Sequence, residues 1–257
     1  MSSPVRHRII ELEETGSTNA DAMRLALQGE QLPLWVSARR QTAGKGRAGR
    51  SWQSIDGNLQ ASLAFLCAAP LNVAQELALL AGVAAIDAIR GISPLAHDVG
   101  LRLKWPNDIV IRSAKAGGIL VESTTARGEP GFLAVIGIGL NVAKCPGDLG
   151  RAVTSLAQSG LTTTPPELLG RLSDQMDTWI AAWDAGQGFD KIRTAWMARA
   201  GKIGEPITVK TASGKLSGTY QGLNSKGALL AAIDGRLEAI SFGDVSLAAA
   251  NNDGGSQ

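Results

Sequence analysis

The sequence predicts an α+β fold, a mixed sheet flanked by helices and followed by a small β-domain. Three observations carry that expectation. Strand-like runs crowd residues 101–138, separated by turn residues such as Pro106-Asn107-Asp108. Apolar stripes at helical spacing flank them on both sides: Val73, Leu77, Leu80, Ala84 and Ala88 before, and Leu168, Leu172, Met176, Trp179 and Trp183 after. Beyond Gly201 the texture changes to short β-prone runs broken by Asp234-Gly235 and Lys226-Gly227.

Ser17-Thr18-Asn19 precedes a helical pattern over 20–28, with Gly29 as a stop. Ser17 or Thr18 reads first as an N-cap and Asp21 suits the first turn. Residues 34–38 are apolar and β-prone, and 58–66 alternate as a strand. A helix over 73–90 ends at Gly91. Strands are expected over 101–104, 109–112, 118–122 and 132–138. Pro165 and Pro166 open the clearest helix, 165–185, whose tryptophans read as core; a second amphipathic helix covers 190–198. Four short strands, 207–210, 217–220, 228–233 and 237–242, look like a small barrel. The expected division is residues 1–200, residues 201–250, and a disordered tail over 251–257.

The chain has 257 residues, net charge +2 and two cysteines. Cys67 and Cys145 make no disulfide framework and suit a reducing compartment. The first ten residues hold no apolar run, and no stretch approaches a membrane span. A cytoplasmic location is the expectation. His7 and His97 are the only histidines and lie far apart, so neither a zinc cluster nor a Ser-His-Asp set is evident. The chemistry falls to Lys, Arg, Asp, Asn and backbone groups.

One segment is unlike the rest. Residues 31–55 hold five basic side chains, Arg39, Arg40, Lys45, Arg47 and Arg50, and no acidic one. Gly44, Gly46 and Gly49 sit among them. Free backbone N–H groups within positive charge suit an anion, most often a phosphate. Gly44 to Gly49 also satisfies GxGxxG, but a polar loop follows where a dinucleotide site needs a helix. GxxxxGK[ST] is absent. Further motifs are Lys104-Trp105-Pro106-Asn107-Asp108, Lys115-Ala116-Gly117-Gly118 and Gly137-Ile138-Gly139-Leu140-Asn141. Each has a plain reading as well: a β-turn, a solvated loop lysine, close backbone packing.

Taken in order, these motifs resemble the biotin–protein ligases. That family shows S-T-N, Q-x-x-G-[RK]-G-R-x-x-R-x-W, K-W-P-N-D, K-x-x-G-I-L and G-x-G-x-N, and all five stand here in register. The resemblance implies a class-II-synthetase-like mixed-sheet catalytic domain with a small C-terminal SH3-like β-barrel. It implies a two-step reaction with ATP, Mg2+ and biotin: formation of biotinyl-5′-AMP, then transfer of biotin to one lysine of a biotin carboxyl carrier domain. Lys45, Arg47, Lys115 and Asp108 become catalytic candidates, Asp108 by orienting the carrier amine. Ser17, Thr18, Asn19, Gln41, Gly44, Lys45, Lys115, Gly117 and Gly118 become biotin-binding candidates. Arg47, Arg50, Trp52, Asn107 and Asn141 are assigned to the nucleotide; the resemblance names no metal ligand. Residues 144–156 read as a second mobile loop over the nucleotide.

Two features depart from the pattern. Lys45 stands where many relatives have Arg, keeping charge but losing a planar fork. Few residues precede the Ser-Thr-Asn motif, so a DNA-binding domain and specific DNA recognition are not expected. Monomer and homodimer both remain open. The rival within the fold is a lipoate or octanoate ligase or transferase. A single-strand nucleic-acid binder is disfavoured because Tyr220 and Phe242 are the only aromatics of the last region.

Overall fold

The computed structural model describes residues 7–125, 131–147, 150–212 and 214–247. Its larger sheet has seven strands: β1 Arg8–Thr15, β2 Leu34–Gln41, β3 Leu59–Cys67, β4 Leu101–Lys104, β5 Asp108–Ile111, β6 Ala114–Thr125 and β7 Phe132–Leu140. Their order is β1-β2-β3-β7-β6-β5-β4. β1 and β2 are parallel and the other neighbours antiparallel, so the sheet is mixed.

Helix α1, Thr18–Leu27, covers one face through Ala22, packed with Leu34, Val36, Ala64 and Val135. The opposite face carries α2 Glu76–Arg90, α3 Pro165–Trp183 and α4 Phe189–Met197 around the main core. α3 starts as its sequence dictates. Thr164 and Glu167 form a reciprocal capping box, and prolines fill the first positions, where a missing N–H costs nothing. Trp183 is buried and donates to Glu76 at 2.6 Å; Trp179 donates to Asp87 at 3.1 Å. Both indoles thus tie α3 to α2.

A second sheet follows, with β8 Pro206–Thr211, β9 Gly214–Leu223, β10 Leu229–Ile233, β11 Arg236–Ile240 and β12 Asp244–Leu247. It is antiparallel in the order β11-β10-β9-β8-β12. It meets the larger sheet at the 104–108 turn. Lys104 Nζ donates to the Val245 carbonyl at 2.9 Å, and Trp105 Nε1 to that of Gly227 at 3.1 Å.

Several expectations need correction. β1 is not among the expected strands: half of Arg8-Ile9-Ile10-Glu11-Leu12-Glu13-Glu14-Thr15 is charged, and of its apolar residues only Ile10 and Leu12 turn inward. Such a run suits an edge strand, where charge discourages further pairing. β3 does not alternate; eight of its nine residues are buried because helices cover both faces. β6 is longer than expected, and β12 was missed. α1 starts at Thr18 rather than Ala20, and Ser17 holds the N-cap position with no side-chain cap bond. The tail over 251–257 lies outside the described residues. Among those residues, no helix is long and apolar enough to cross a membrane.

Candidate active site

A cleft lies on the α1 face of the large sheet, bounded by the N-terminus of α1, the loop after β2, the β4–β5 turn and the centre of β6 and β7. Ser17, Thr18, Asn19, Gln41, Lys45, Arg47, Arg50, Trp52, Asn107, Asp108, Lys115 and Gly118 all line it. Twelve candidates drawn from four separate motifs therefore face one space. Gly44, Gly117 and Asn141 do not line it. Sequence reasoning missed Gln60 and Ser62 on β3, Glu122 on β6 and Arg151; of these, Gln60 and Arg151 line the cleft.

One end is polar and nearly uncharged. The backbone N–H of Thr18 donates to Gln41 Oε1 at 2.8 Å, and Thr18 Oγ1 lies 3.0 Å from the same oxygen. Buried Ser62 sits behind them, its Oγ 2.8 Å from Thr18 Oγ1 and 2.6 Å from Asn19 Oδ1. Asn19 Nδ2 donates to Glu122 at 2.7 Å. Thr18 and Asn19 are buried although they open a helix, because β3 and β6 supply partners that solvent would otherwise provide.

The other end is cationic. The loop after β2 reverses tightly: Ala48 and Gly49 have φ of 53° and 71°, and Gly46 N–H donates to the Arg50 carbonyl at 2.7 Å. Arg47 donates to Asn107 Oδ1 at 3.1 Å. Asn107 in turn donates to the Ile119 carbonyl at 2.6 Å, which fixes the 104–108 turn on β6. Arg50 pairs with Asp244 at 3.0 Å, and Arg47 approaches the same carboxylate at 3.7 Å. The glycine-rich loop is thus held against β12. Burial pulls the Arg47 guanidinium below its ordinary value, and Asp244 opposes that.

Asp108 is the pivot of this end. One of its oxygens faces Lys104 Nζ at 2.8 Å and the other meets Lys115 Nζ. Burial acts to raise its pKa, but the two ammonium charges together outweigh burial and hold the carboxyl below the usual range. For Lys115, burial dominates and lowers the pKa, while Asp108 works against it. The pairing favours the charged form of each group, since opposite charges at contact stabilise each other.

Trp52 and the glycines of β7 form the floor. The indole lies against Gly139, and the Lys115 ammonium is 6.0 Å from its ring centroid. A Cβ at Gly139 would fall 2.5 Å from Trp52 Cζ2, and one at Gly137 2.2 Å from Asn19 Oδ1. The G-x-G spacing therefore leaves room for two cleft side chains, as alternate residues share a face of the strand. Gly117 serves a different end: a Cβ there would meet Leu140 Cδ2 at 2.5 Å. Gly44 needs its bareness under the Trp52 carbonyl, 2.7 Å from an added Cβ. Asn141 Nδ2 donates to the Thr154 carbonyl at 2.9 Å. Lys115 N–H donates to Ala152 and Thr154 N–H donates to Lys115, both at 2.9 Å. The described part of the 144–156 segment is therefore stitched to the start of β6, with Arg151 at the cleft.

Fold and cleft together define a class: a mixed-sheet protein with a cleft whose hydrogen-bonding end adjoins a cationic one. Two family models fit the chain, the Biotin/lipoate A/B protein ligase family over residues 12–141 and the Biotin protein ligase C terminal domain over 202–248. The chain belongs to the biotin/lipoate A/B protein ligase family. It is 37% identical over 228 residues to the biotin–[acetyl-CoA-carboxylase] ligase of Paracoccus denitrificans, covering 85% of this chain and 92% of that protein. The corresponding ligase of Mycobacterium tuberculosis is 30% identical, with 90% and 86% covered. Among solved structures, the Aquifex aeolicus biotin protein ligase in complex with biotin and ATP superposes with a TM-score of 0.77 at 25% identity, over 93% of this chain and 98% of that one. The Leishmania major enzyme in complex with biotinyl-5-AMP gives 0.65 at 25% identity, over 94% and 100%.

Proposed function

We propose that this chain is a biotin–protein ligase. The biotin carboxylate attacks the α-phosphate of ATP, forming biotinyl-5′-AMP and releasing pyrophosphate. The ε-amine of a carrier lysine then attacks the biotinyl carbonyl, AMP leaves and an amide forms. One observation carries the reading: a hydrogen-bonding, nearly uncharged end at Ser17, Thr18 and Gln41 shares a cleft with Lys45, Arg47, Arg50 and Lys115. A neutral ureido ring fits the first region, and a carboxylate approaching a phosphate needs the second.

Two anions must meet in the first step. Lys45, Arg47 and Lys115 offset that repulsion and stabilise charge growing on the phosphoryl oxygens. For Lys115 to turn to the phosphate, it must loosen its pairing with Asp108, and Lys104 keeps that carboxylate compensated. Arg50, Trp52 and Asn107 belong to the nucleotide side, Asn19, Gly44, Gly117 and Gly118 to the biotin side, and Asn141 acts by holding residue 154. In the second step Asp108 orients the incoming amine. A carboxyl held below its usual range is a weak base but a good acceptor for an ammonium or amine.

The nucleotide would bring magnesium with it, and the ion would supply further positive charge to the reacting phosphates. Among the described residues no three His, Cys, Asp or Glu side chains gather to hold a metal, and Asp108 is engaged by two lysines. Residues 1–200 form the biotin and ATP domain in this proposal, and 201–250 the small barrel. The acceptor is the carboxyl carrier domain of a biotin-dependent carboxylase, acetyl-CoA carboxylase in the first instance. Two free cysteines fit action in the reducing cytoplasm. Biotin-dependent exchange of pyrophosphate into ATP tests the reading, with lipoate and octanoate as controls. Exchange with lipoate but not biotin would overturn it.

A further inference from the structure

Three oxygen–oxygen contacts at the uncharged end of the cleft have only two protons between them. Thr18 Oγ1 lies 3.0 Å from Gln41 Oε1, and Ser62 Oγ lies 2.8 Å from Thr18 Oγ1 and 2.6 Å from Asn19 Oδ1. The amide oxygens carry no hydrogen, so the two hydroxyls must serve all three contacts. Asn19 is oriented from outside. Its Nδ2 faces the Glu122 carboxylate at 2.7 Å and the Leu120 carbonyl at 3.4 Å, which only the nitrogen satisfies. Its Oδ1 therefore points at Ser62, and a contact of 2.6 Å requires a proton. Ser62 supplies it. The Ser62 lone pair then faces Thr18 at 2.8 Å, and only the Thr18 hydroxyl can fill that contact. The longest contact, Thr18 to Gln41, is left without a proton, and Gln41 Oε1 keeps the Thr18 backbone N–H.

We propose that Ser62, Asn19 and Glu122 form a relay that holds the Thr18 hydroxyl as an acceptor toward the cleft and so selects a ligand carrying a ring N–H at that point. The inference rests on the biotin reading, in which the N–H is one of the two in the ureido ring. Donation runs from ligand N–H to Thr18, to Ser62, to the Asn19 carbonyl, and from Asn19 Nδ2 to Glu122. Each donation polarises the next, and the chain ends on an anion. A ligand N–H between Thr18 Oγ1 and Gln41 Oε1 also relieves their acceptor–acceptor contact. An oxygen in its place would add a third lone pair there. Ser62 is wholly buried behind Thr18 and Glu122 stands beyond Asn19, so both are positioning residues.

The test compares biotin with the two cyclic carbamates in which one or the other ureido N–H is replaced by oxygen. The readout is the ratio of kcat/KM in pyrophosphate exchange, biotin over the poorer carbamate. Ser62→Ala frees the Thr18 proton to turn and donate to the carbamate oxygen. The ratio should fall roughly tenfold, with KM for biotin raised and KM for ATP unchanged. Glu122→Gln keeps an acceptor for Asn19 but removes the charge, and should shift the ratio the same way by less. Thermal melts establish that each variant folds; should Ser62→Ala not fold, Glu122→Gln decides. An unchanged ratio in the folded variants, or equal losses for biotin and carbamate, overturns the relay. No exchange with biotin in the unaltered protein would instead sink the biotin reading.

Discussion

Gly139→Ala tests whether bare backbone on β7 sets the position of Trp52. Gly139 pairs with Gln60 on β3 and with Gly118 on β6, so it sits mid-sheet and cannot retreat. An added Cβ would lie 2.5 Å from Cζ2, 2.6 Å from Cε2 and 3.1 Å from Cη2 of the indole. Ordinary contact begins at 3.4 Å, so the ring must withdraw by 3.4 − 2.5, about 0.9 Å. Its backbone resists, because Trp52 N–H donates to the Gly44 carbonyl at 2.9 Å. Overpacking of this kind costs about 1–3 kcal/mol. For a chain of this size each kcal/mol lowers Tm by about 2–4 °C. A nucleotide-side floor displaced by nearly 1 Å should lower kcat/KM for ATP by about tenfold to a hundredfold. The assays are a thermal melt and pyrophosphate exchange at varied ATP. Trp52→Phe in the same background supplies the control: it removes Cζ2 and Cη2, two of the three crowded atoms, including the one nearest the added Cβ. The double variant should recover most of the lost stability. Strictly additive losses, or a Gly139→Ala protein with unchanged Tm and ATP kinetics, would refute the packing account.

Asp108→Asn leaves two lysines sharing a neutral acceptor, and stability should fall by about 2–4 kcal/mol. Because the Asp108 carboxyl is depressed by its two lysines, its stabilising contribution is present above the unfolded carboxylate value of about 3.9 and is lost as pH falls through the lower folded value; acid denaturation of the variant should lack that limb. Single-turnover transfer from preformed biotinyl-AMP should also slow, and an unchanged rate would remove the proposed orienting role. Asp244→Ala breaks the half-exposed pairing with Arg50, worth less than about 1 kcal/mol, so Tm should hardly move; trypsin should nonetheless cut the 45–50 loop faster, and equal cleavage rates would mean β12 does not restrain it. The Tyr220 hydroxyl is buried without a hydrogen-bond partner among the described residues, and burial, with Glu205 adding, pushes its pKa up to about 12. Folding thus favours its protonated form, and its contribution is lost as pH rises from about 10 toward the folded value. Tyr220→Phe should abolish that loss and raise stability by about 1–2 kcal/mol at neutral pH; a lower Tm would show the hydroxyl to be satisfied.

Much of the fold was legible because its signals are local. Helical stripes, the paired prolines before α3 and the turn residues of the second sheet each act within a few residues. β1 escaped because an edge strand keeps its charges in water and shows only Ile10 and Leu12 as inward positions. β3 looks alternating in sequence because no local pattern reports that helices will cover both of its faces. The motifs marked most of the cleft, since glycines among arginines and a rigid Lys-Trp-Pro-Asn-Asp turn are unusual in any context. Ser62 and Glu122 carried no signal: a serine in an apolar strand and a glutamate near a strand's end are ordinary until their neighbours are known.

The sequence alone determined the residue types, a local excess of positive charge, glycines at fixed spacing and the helical and strand periodicities that order the chain. Those follow from covalent neighbours and from side-chain chemistry, which need no long-range information. Tertiary structure decided who meets whom. It set Asp108 between Lys104 and Lys115, tied the glycine-rich loop to Asp244 nearly two hundred residues away, laid Trp52 on Gly139 and routed Asn19 to Glu122. Strand pairing and the closing of the two sheets bring these groups together, and distance in space, which no spacing along the chain specifies, governs hydrogen bonds, charge pairing and steric fit.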